Sequence, residues 1–360
     1  MTRDFEIERI VARRLDIPMK QAFGIAGGAQ EVARNVLVEI TLRGGGRGWG
    51  EAAPLPAFNG ETQDDAIAAI ERAAPSLLGA DTRAWRPLAE RVMQATAPRA
   101  SAACAIETAA LDAFTRAIGT SLRVFFGGSE TTLTTDFTVT TGSVDDAVRD
   151  ARAWGHFATL KIKVGGGRDH AVDLDVARVL AVHEHAPRAR LMLDANAGLS
   201  VDAAIHLASE LRARGVAVAL FEQPIATGDW DALAEVRGRT KIPIALDESV
   251  TRPGDVVAAH RAGAADAANV KLMKSGIAHA LDIVAATRAC GLLPMIGGMV
   301  EARLAMATSA CLAAGLGGFA FVDLDTPLFL ADDPFEGGLR YEGDRLDLSA
   351  IGAGHGCVPR

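Results

Sequence analysis

Lys161 and Lys163 stand two residues apart in the run Leu160-Lys161-Ile162-Lys163-Val164-Gly165-Gly166. Alternate residues of a strand point the same way, so the two ammonium groups would share one face while Leu160, Ile162 and Val164 share the other. The glycines then end the strand and let the chain turn. On a buried face, loss of water and like-charge repulsion both favour the neutral amine, and a neutral lysine is a base. On a sheet edge, two solvated lysines would only discourage edge pairing. A motif this short does not choose between the two; the strands C-terminal to it do.

From about residue 132, short apolar runs alternate with alanine-rich helical patterns. Strands are expected over residues 133–139, 159–163, 190–194, 220–222, 244–247, 268–271, 293–296 and 319–322. Eight strands with helices between them are the signature of a (β/α) barrel. At the C-terminal ends of strands two to eight stand, in order, Lys163, Asp194, Glu222, Asp247, Lys271, the pair Gly297-Gly298, and Asp323, at gaps of 31, 28, 25, 24, 26 and 26 residues. Barrels of this kind assemble their sites from the ends of several strands at that face. A lone aspartate at a strand end is usually a helix cap or a turn residue. Five consecutive strands ending on an ionisable residue, at one repeat spacing, are poorly explained as five separate caps.

Asp194, Glu222 and Asp247 would converge from three neighbouring strands, and three ionised carboxylates need a cation between them. An all-oxygen set without cysteine or histidine suits a hard ion such as Mg²⁺. Lys161 and Lys163 on strand two face Lys271 on strand six across the barrel. A substrate held at the metal would have an amine on either side, an arrangement for taking a proton from one face of a carbon and returning it to the other.

The elements ahead of the barrel read as a small α+β unit. Residues 5–15 alternate weakly and residues 36–42 alternate well, with Gly44-Gly45-Gly46 turning into Gly48-Trp49-Gly50-Glu51. Residues 20–33, with Gly24, Gly27 and Gly28, read as one mobile loop, and residues 54–60 as a second; such loops often contact ligands. Helices are expected over residues 64–78, 85–93 and 100–118, the last with Leu111 and Phe114 on its apolar face. The expected architecture is α/β: an α+β capping domain over residues 1–125, completed by the tail from about 326 to 360, and a (β/α)₇β TIM-like barrel over 126–325.

Composition narrows the partners. The 360 residues are 49% hydrophobic and 23% charged, as in ordinary globular proteins, and the net charge of −8 argues against nucleic acid. No secretory leader or bilayer-spanning run is visible, so no membrane role is expected. Cys104, Cys290, Cys311 and Cys357 have neither metal nor disulfide spacing, which fits a reducing cytoplasm. His183 and His185, two apart near a helical end, suit surface positions rather than ligands. A homo-oligomer is compatible with all of this.

The motifs Leu160-Lys161-Ile162-Lys163, Asp194-Ala195-Asn196, Glu222-Gln223-Pro224, Asp247-Glu248-Ser249 and Asn269-Val270-Lys271-Leu272-Met273-Lys274 resemble the enolase superfamily, and within it the muconate-lactonising subgroup. The resemblance runs through the whole chain, including Gly48-Trp49-Gly50-Glu51-Ala52. It implies Asp194, Glu222 and Asp247 as Mg²⁺ ligands, Lys163 and Lys271 as the acid/base pair, and Lys161 as a cation that supports the intermediate and lowers the basicity of its neighbour. The mandelate-racemase branch places a histidine on strand seven, where this chain reads Leu293-Pro294-Met295-Ile296-Gly297-Gly298. Ser275-Gly276 replaces a customary glycine pair without evident catalytic effect, and Glu301 has a family counterpart but no role that the sequence assigns.

The subgroup includes cycloisomerases, o-succinylbenzoate synthases, N-acylamino acid racemases and dipeptide epimerases. Asp323 and Asp325 match the Asp-x-Asp that dipeptide epimerases use to hold a free α-ammonium, which makes a dipeptide the expected substrate. The first capping loop carries no arginine for a side-chain carboxylate. A neutral or apolar C-terminal side chain, lined by Phe23, Ile25, Phe58 and Gly298, is therefore expected. The rival readings are an N-acylamino acid racemase or o-succinylbenzoate synthase, and a non-catalytic binding protein; the latter would need neither lysine.

Overall fold

A computed structural model describes residues 2–25, 28–166 and 172–360, except for the side chains of residues 23, 25, 28 and 29. The chain begins with a three-stranded antiparallel sheet in which Ile7–Ile25 pairs with Gly28–Leu42, and Gly28–Leu42 with Arg47–Ala52. Val36, Val38, Ile40 and Leu42 are all buried, the period of two that a sheet covered on one face requires. Helices Gln63–Leu77, Trp85–Thr96 and Ala100–Ala117 share that core. A Cβ at Gly50 would stand 2.0 Å from the Ala105 carbonyl oxygen, so only glycine lets the third strand lie this close to helix Ala100–Ala117.

The expected loop over residues 20–33 is instead the far end of a two-stranded ribbon. Pairing runs through Ile17↔Ala33 and Pro18↔Val32, slips, and resumes at Phe23↔Gln30. That irregularity breaks the alternation that would have revealed two strands. Gly24 is there for proximity, because a Cβ would come within 2.3 Å of Thr141 Oγ1 beyond the first barrel strand. The ribbon therefore ends over the C-terminal face of the barrel. The second expected loop contains a single helical turn, Pro56–Asn59.

The barrel strands are Phe137–Val139, Thr159–Lys163, Arg190–Asp194, Val218–Glu222, Ile244–Leu246, Ala267–Lys271, Leu293–Gly297 and Phe321–Val322. Each is parallel to the next, with helices on the connections, giving the (β/α)₇β order. Across the seam between first and eighth strands, Asp136 N donates to Val322 O at 3.0 Å. Met192, Leu220, Ala245, Ala267, Met295 and Phe321 form an apolar cluster inside the barrel, beneath the strand ends.

One expected strand is divided. Of residues 133–139, only Phe137–Val139 enters the barrel, whereas Thr132–Thr134 pairs with Arg345–Asp347 of the tail. Thr135 N bonds to Asp344 O in the tail, and Asp136 N turns to the eighth strand, so the chain changes sheets between them. The tail then reaches helix Ala100–Ala117, where Arg116 donates to Cys357 O and His355 N to Asp112 Oδ1. No described helix is long and apolar enough to cross a membrane.

Candidate active site

Register brings the strand-end residues together. Lys163 pairs with Asp194 and Asp194 with Glu222, while Asp247 follows the fifth strand directly. All three carboxylates are fully buried. Asp194 Oδ2 lies 2.6 Å from Lys163 Nζ and 3.5 Å from Lys161 Nζ. Glu222 Oε1 accepts from Asn269 at 2.6 Å, and Asp247 Oδ1 from Lys274 at 2.6 Å. Glu222 Oε2 has no hydrogen-bond donor, and Asp247 Oδ2 is met only by the Lys271 ammonium at 2.7 Å, so the carboxylates keep buried anionic oxygens that a cation would satisfy. Burial first, then the charge of neighbouring Asp194, pushes the Glu222 carboxyl up to about 7 against the pull of Lys161. The donor set is all oxygen and suits Mg²⁺. The backbone just beyond two of these residues is strained, with φ of 42° at Asn196 and 30° at Gln223, as is common around functional sites.

Lys161, Lys163 and Lys271 are all buried, which excludes the solvated-edge alternative. The expectation that crowding would favour neutral amines fails for two of them. Burial does oppose the charge of Lys161, yet Asp323, Glu222 and Asp194 outweigh it and hold its pKa well above the ordinary lysine value. Lys271 is likewise raised, against its burial, by Asp247 and Glu222. The sequence reading counted the lysines' repulsion and omitted the carboxylates between them, of which Asp247 is only 2.7 Å from Lys271 Nζ. Lys163 Nζ also donates to Asn196 Oδ1 at 2.9 Å.

The three lysines and Asn196 border a cavity at this face of the barrel. Lys163 and Lys271 enter it from strands two and six, Asp323 and Asp325 from the end of strand eight, and Gly298 from the end of strand seven. Asp323 pairs with Lys161. Asp325 Oδ2 accepts Thr138 N at 2.6 Å, whereas its Oδ1 has no partner, and burial beside Asp323 pushes its carboxyl up to about 7. A Cβ at Gly298 would strike the Met306 methyl group at 2.3 Å. Phe58, half-buried, covers the mouth with its ring centroid 6.0 Å from Lys271 Nζ. The side chains of Phe23 and Ile25 lie outside the described residues.

Several residues at the site escaped the sequence reading. Asp136 is buried beside Asp323 and Asp325, and the three bring their oxygens within 4.8 Å of one another. The inward alternation Asp136, Thr138, Thr140 could have disclosed it. Arg178, fully buried, donates to the carbonyls of Lys163 at 2.6 Å and Thr140, fixing the ends of strands two and one; nothing in its helical context marks it. A second, larger cavity lies at the opposite end of the barrel among the strands' N-terminal ends, and Asp136 borders that one.

Residues 8–127 match the mandelate racemase / muconate lactonizing enzyme N-terminal domain, and residues 143–360 match the enolase C-terminal domain-like family. An aromatic dipeptide epimerase from Herpetosiphon aurantiacus is 46% identical, over 97% of this chain and 98% of its own. A crystal structure assigned to the mandelate racemase/muconate lactonizing group, from Sorangium cellulosum, superposes with a TM-score of 0.94 at 51% identity, over 99% of this chain and 100% of its own. A dipeptide epimerase from Enterococcus faecalis, crystallised with Mg and L-Leu-L-Tyr, gives a TM-score of 0.91 at 30% identity, over 98% and 99% of the two chains. With both parts matched and the fold shared along its whole length, the chain belongs to the mandelate racemase/muconate lactonizing enzyme family of the enolase superfamily.

Proposed function

We propose that this protein is a Mg²⁺-dependent dipeptide epimerase, an isomerase that inverts the α-carbon of the C-terminal residue. One observation carries the mechanism: Lys163 and Lys271 enter a single cavity from opposite strands, with Asp323 and Asp325 beside them. Asp194, Glu222 and Asp247 would hold the Mg²⁺, which when bound would supply positive charge beside the substrate's carboxylate. Lys163 Nζ and Lys271 Nζ each serve one face of the α-carbon. The neutral amine takes the proton, and the ammonium opposite delivers one. Asn196 orients Lys163 through its hydrogen bond, and Lys161 adds a fixed positive charge between Asp194 and Glu222. Asp323 and Asp325 receive the substrate's terminal ammonium, a group that muconate and succinylbenzoate lack.

Leu55, Phe58, Met299 and Val300 are apolar residues that border the cavity, which favours neutral and apolar C-terminal residues. The aromatic dipeptide specificity of the Herpetosiphon relative supports this choice. Free cysteines, three of the four buried, support the cytoplasm as the compartment. The test is incubation with a dipeptide library in D₂O. Hydrophobic dipeptides should epimerise and gain a single deuteron at the C-terminal α-carbon. Exchange restricted to N-acylated amino acids would overturn the reading.

A further inference from the structure

Asp136 is 2% exposed, yet neither of its carboxyl oxygens has a hydrogen-bond partner. Its backbone explains why it cannot move away. Asp136 N is bonded to Val322 O, while the flanking Thr135 hydroxyl accepts Leu324 N and Thr138 N donates to Asp325. This stitching pins the start of strand one against the end of strand eight and holds three carboxyl groups within 4.8 Å of one another. Lys161 is the cation that faces the group, from strand two, and it already pairs with Asp323 while standing 3.5 Å from Asp194 and 3.6 Å from Glu222. One ammonium shared among so many carboxylates leaves the cluster negative. Carboxyl groups held this close in low dielectric relieve the repulsion by retaining a proton.

We propose that Asp136 is a standing carboxylic acid whose O–H donates to Asp323, and that this bond aims Asp323 at the substrate's ammonium. Asp136 does not border the substrate cavity, so it acts through Asp323 as a positioning residue. Burial first, then the charge of Asp323, moves its carboxyl well above the usual range, in agreement with the geometry. The proposal rests on the reading of Asp323 and Asp325 as the ammonium subsite. It explains how that subsite is oriented: the Asp136 O–H and the Lys161 ammonium hold Asp323 from two sides and leave it facing the incoming amine.

The test pairs infrared spectroscopy with kinetics on the full-length Mg²⁺-loaded protein. With ¹³C-aspartate labelling, the spectrum at neutral pH should contain an isotope-shifted carbonyl stretch of a protonated acid that disappears in Asp136→Asn. Asparagine can still donate to Asp323, so Asp136→Asn should keep kcat/KM for a dipeptide within about threefold, whereas Asp136→Ala should lose roughly 10- to 100-fold, mainly through KM. An unchanged band in Asp136→Asn places the proton elsewhere and overturns the proposal. No band, together with activity that depends on added K⁺, assigns the cluster to a bound cation and overturns it as well. The infrared result needs no substrate, so an enzyme inert toward dipeptides would refute the function while leaving the proton assignment independently tested.

Discussion

Lys163 Nζ and Asp194 Oδ2 meet at 2.6 Å across neighbouring strands, and the same oxygen is 3.5 Å from Lys161 Nζ. Lysines and carboxylates therefore alternate through the site. Lys271, Asp247 and Lys274 repeat the arrangement on the far side. A divalent ion held by Asp194, Glu222 and Asp247 would compete with the lysines for these oxygens, which would couple the metal to the proposed bases.

Metal removal should abolish turnover, and Mg²⁺ should restore it. A ligand present at a hundred times its Kd stabilises a fold by about 2.7 kcal/mol, so Mg²⁺ should also raise the unfolding temperature. Asp194→Asn, Glu222→Gln and Asp247→Asn should each erase that thermal shift and cut kcat by at least about 100-fold. Thermal melts and assays, with chelator and with Mg²⁺, make the check. Full activity in chelated protein would exclude the mechanism.

Lys163→Ala and Lys271→Ala should each stop epimerisation. Each variant keeps one base, so each should wash deuterium into a single epimer, and into opposite epimers in the two cases. Chiral separation with mass analysis reads this directly. Interconversion at the wild-type rate in either variant would require a one-base mechanism.

The clustering of the candidate site was legible because a (β/α) repeat writes its strand ends at one spacing: Lys163, Asp194, Glu222, Asp247 and Lys271 each stand at or just past the end of a strand. Their ionisation was not, since it depends on contacts among residues remote in sequence, such as Lys161 with Asp323. The ribbon beyond Ile17 was hidden by the slip in its pairing and by Gly24, which serves close approach rather than looping. Asp136 was hidden because the apolar run that begins at residue 133 changes sheets one residue before it. Glu51 entered only as part of a matching motif and Glu107 carried no signal, and both prove to cap barrel helices from the N-terminal part of the chain. Glu51 accepts Ala302 N at 2.8 Å, and Glu107 accepts Ile277 N at 2.8 Å just past the kink at Gly276.

These two buried caps predict a pH dependence of stability. Burial pushes both carboxyls up to about 7, against the partial relief of their backbone hydrogen bonds. A raised carboxyl pKa means that the folded chain keeps a proton the unfolded chain has released. Stability should therefore fall as pH rises from about 4.5 to about 7, by up to about 3 kcal/mol for each group, and then level off. Glu51→Gln removes one such group. It should cost stability near pH 5, where Gln cannot accept every hydrogen bond that Glu51 accepts, and the deficit should shrink or reverse near pH 8. Urea unfolding at both pH values measures it. A deficit that grows with pH would mean that Glu51 is ionised in the fold.

Substrate choice is the prediction most exposed to refutation. Among the described residues, the cations bordering the cavity are Lys161, Lys163 and Lys271, each engaged by a carboxylate. Lys20, in the capping ribbon, donates instead to the Leu328 carbonyl at 2.8 Å, and Arg34 is exposed. A glutamate side chain would leave water without a partner, and each 1.4 kcal/mol of that cost is about tenfold in kcat/KM. Ala-Phe and Ala-Leu should exceed Ala-Glu by at least about tenfold. Phe58→Ala removes an aromatic surface over the mouth and should lower kcat/KM for Ala-Phe by about 10-fold or more while affecting Ala-Ala little. N-succinyl-phenylalanine, with no ammonium for Asp323 and Asp325, should be a poor substrate. Steady-state kinetics on this set decides between the two parts of the argument. A preference for Ala-Glu refutes the apolar end of the cavity, whereas a preference for the succinyl compound refutes the ammonium subsite and the epimerase with it.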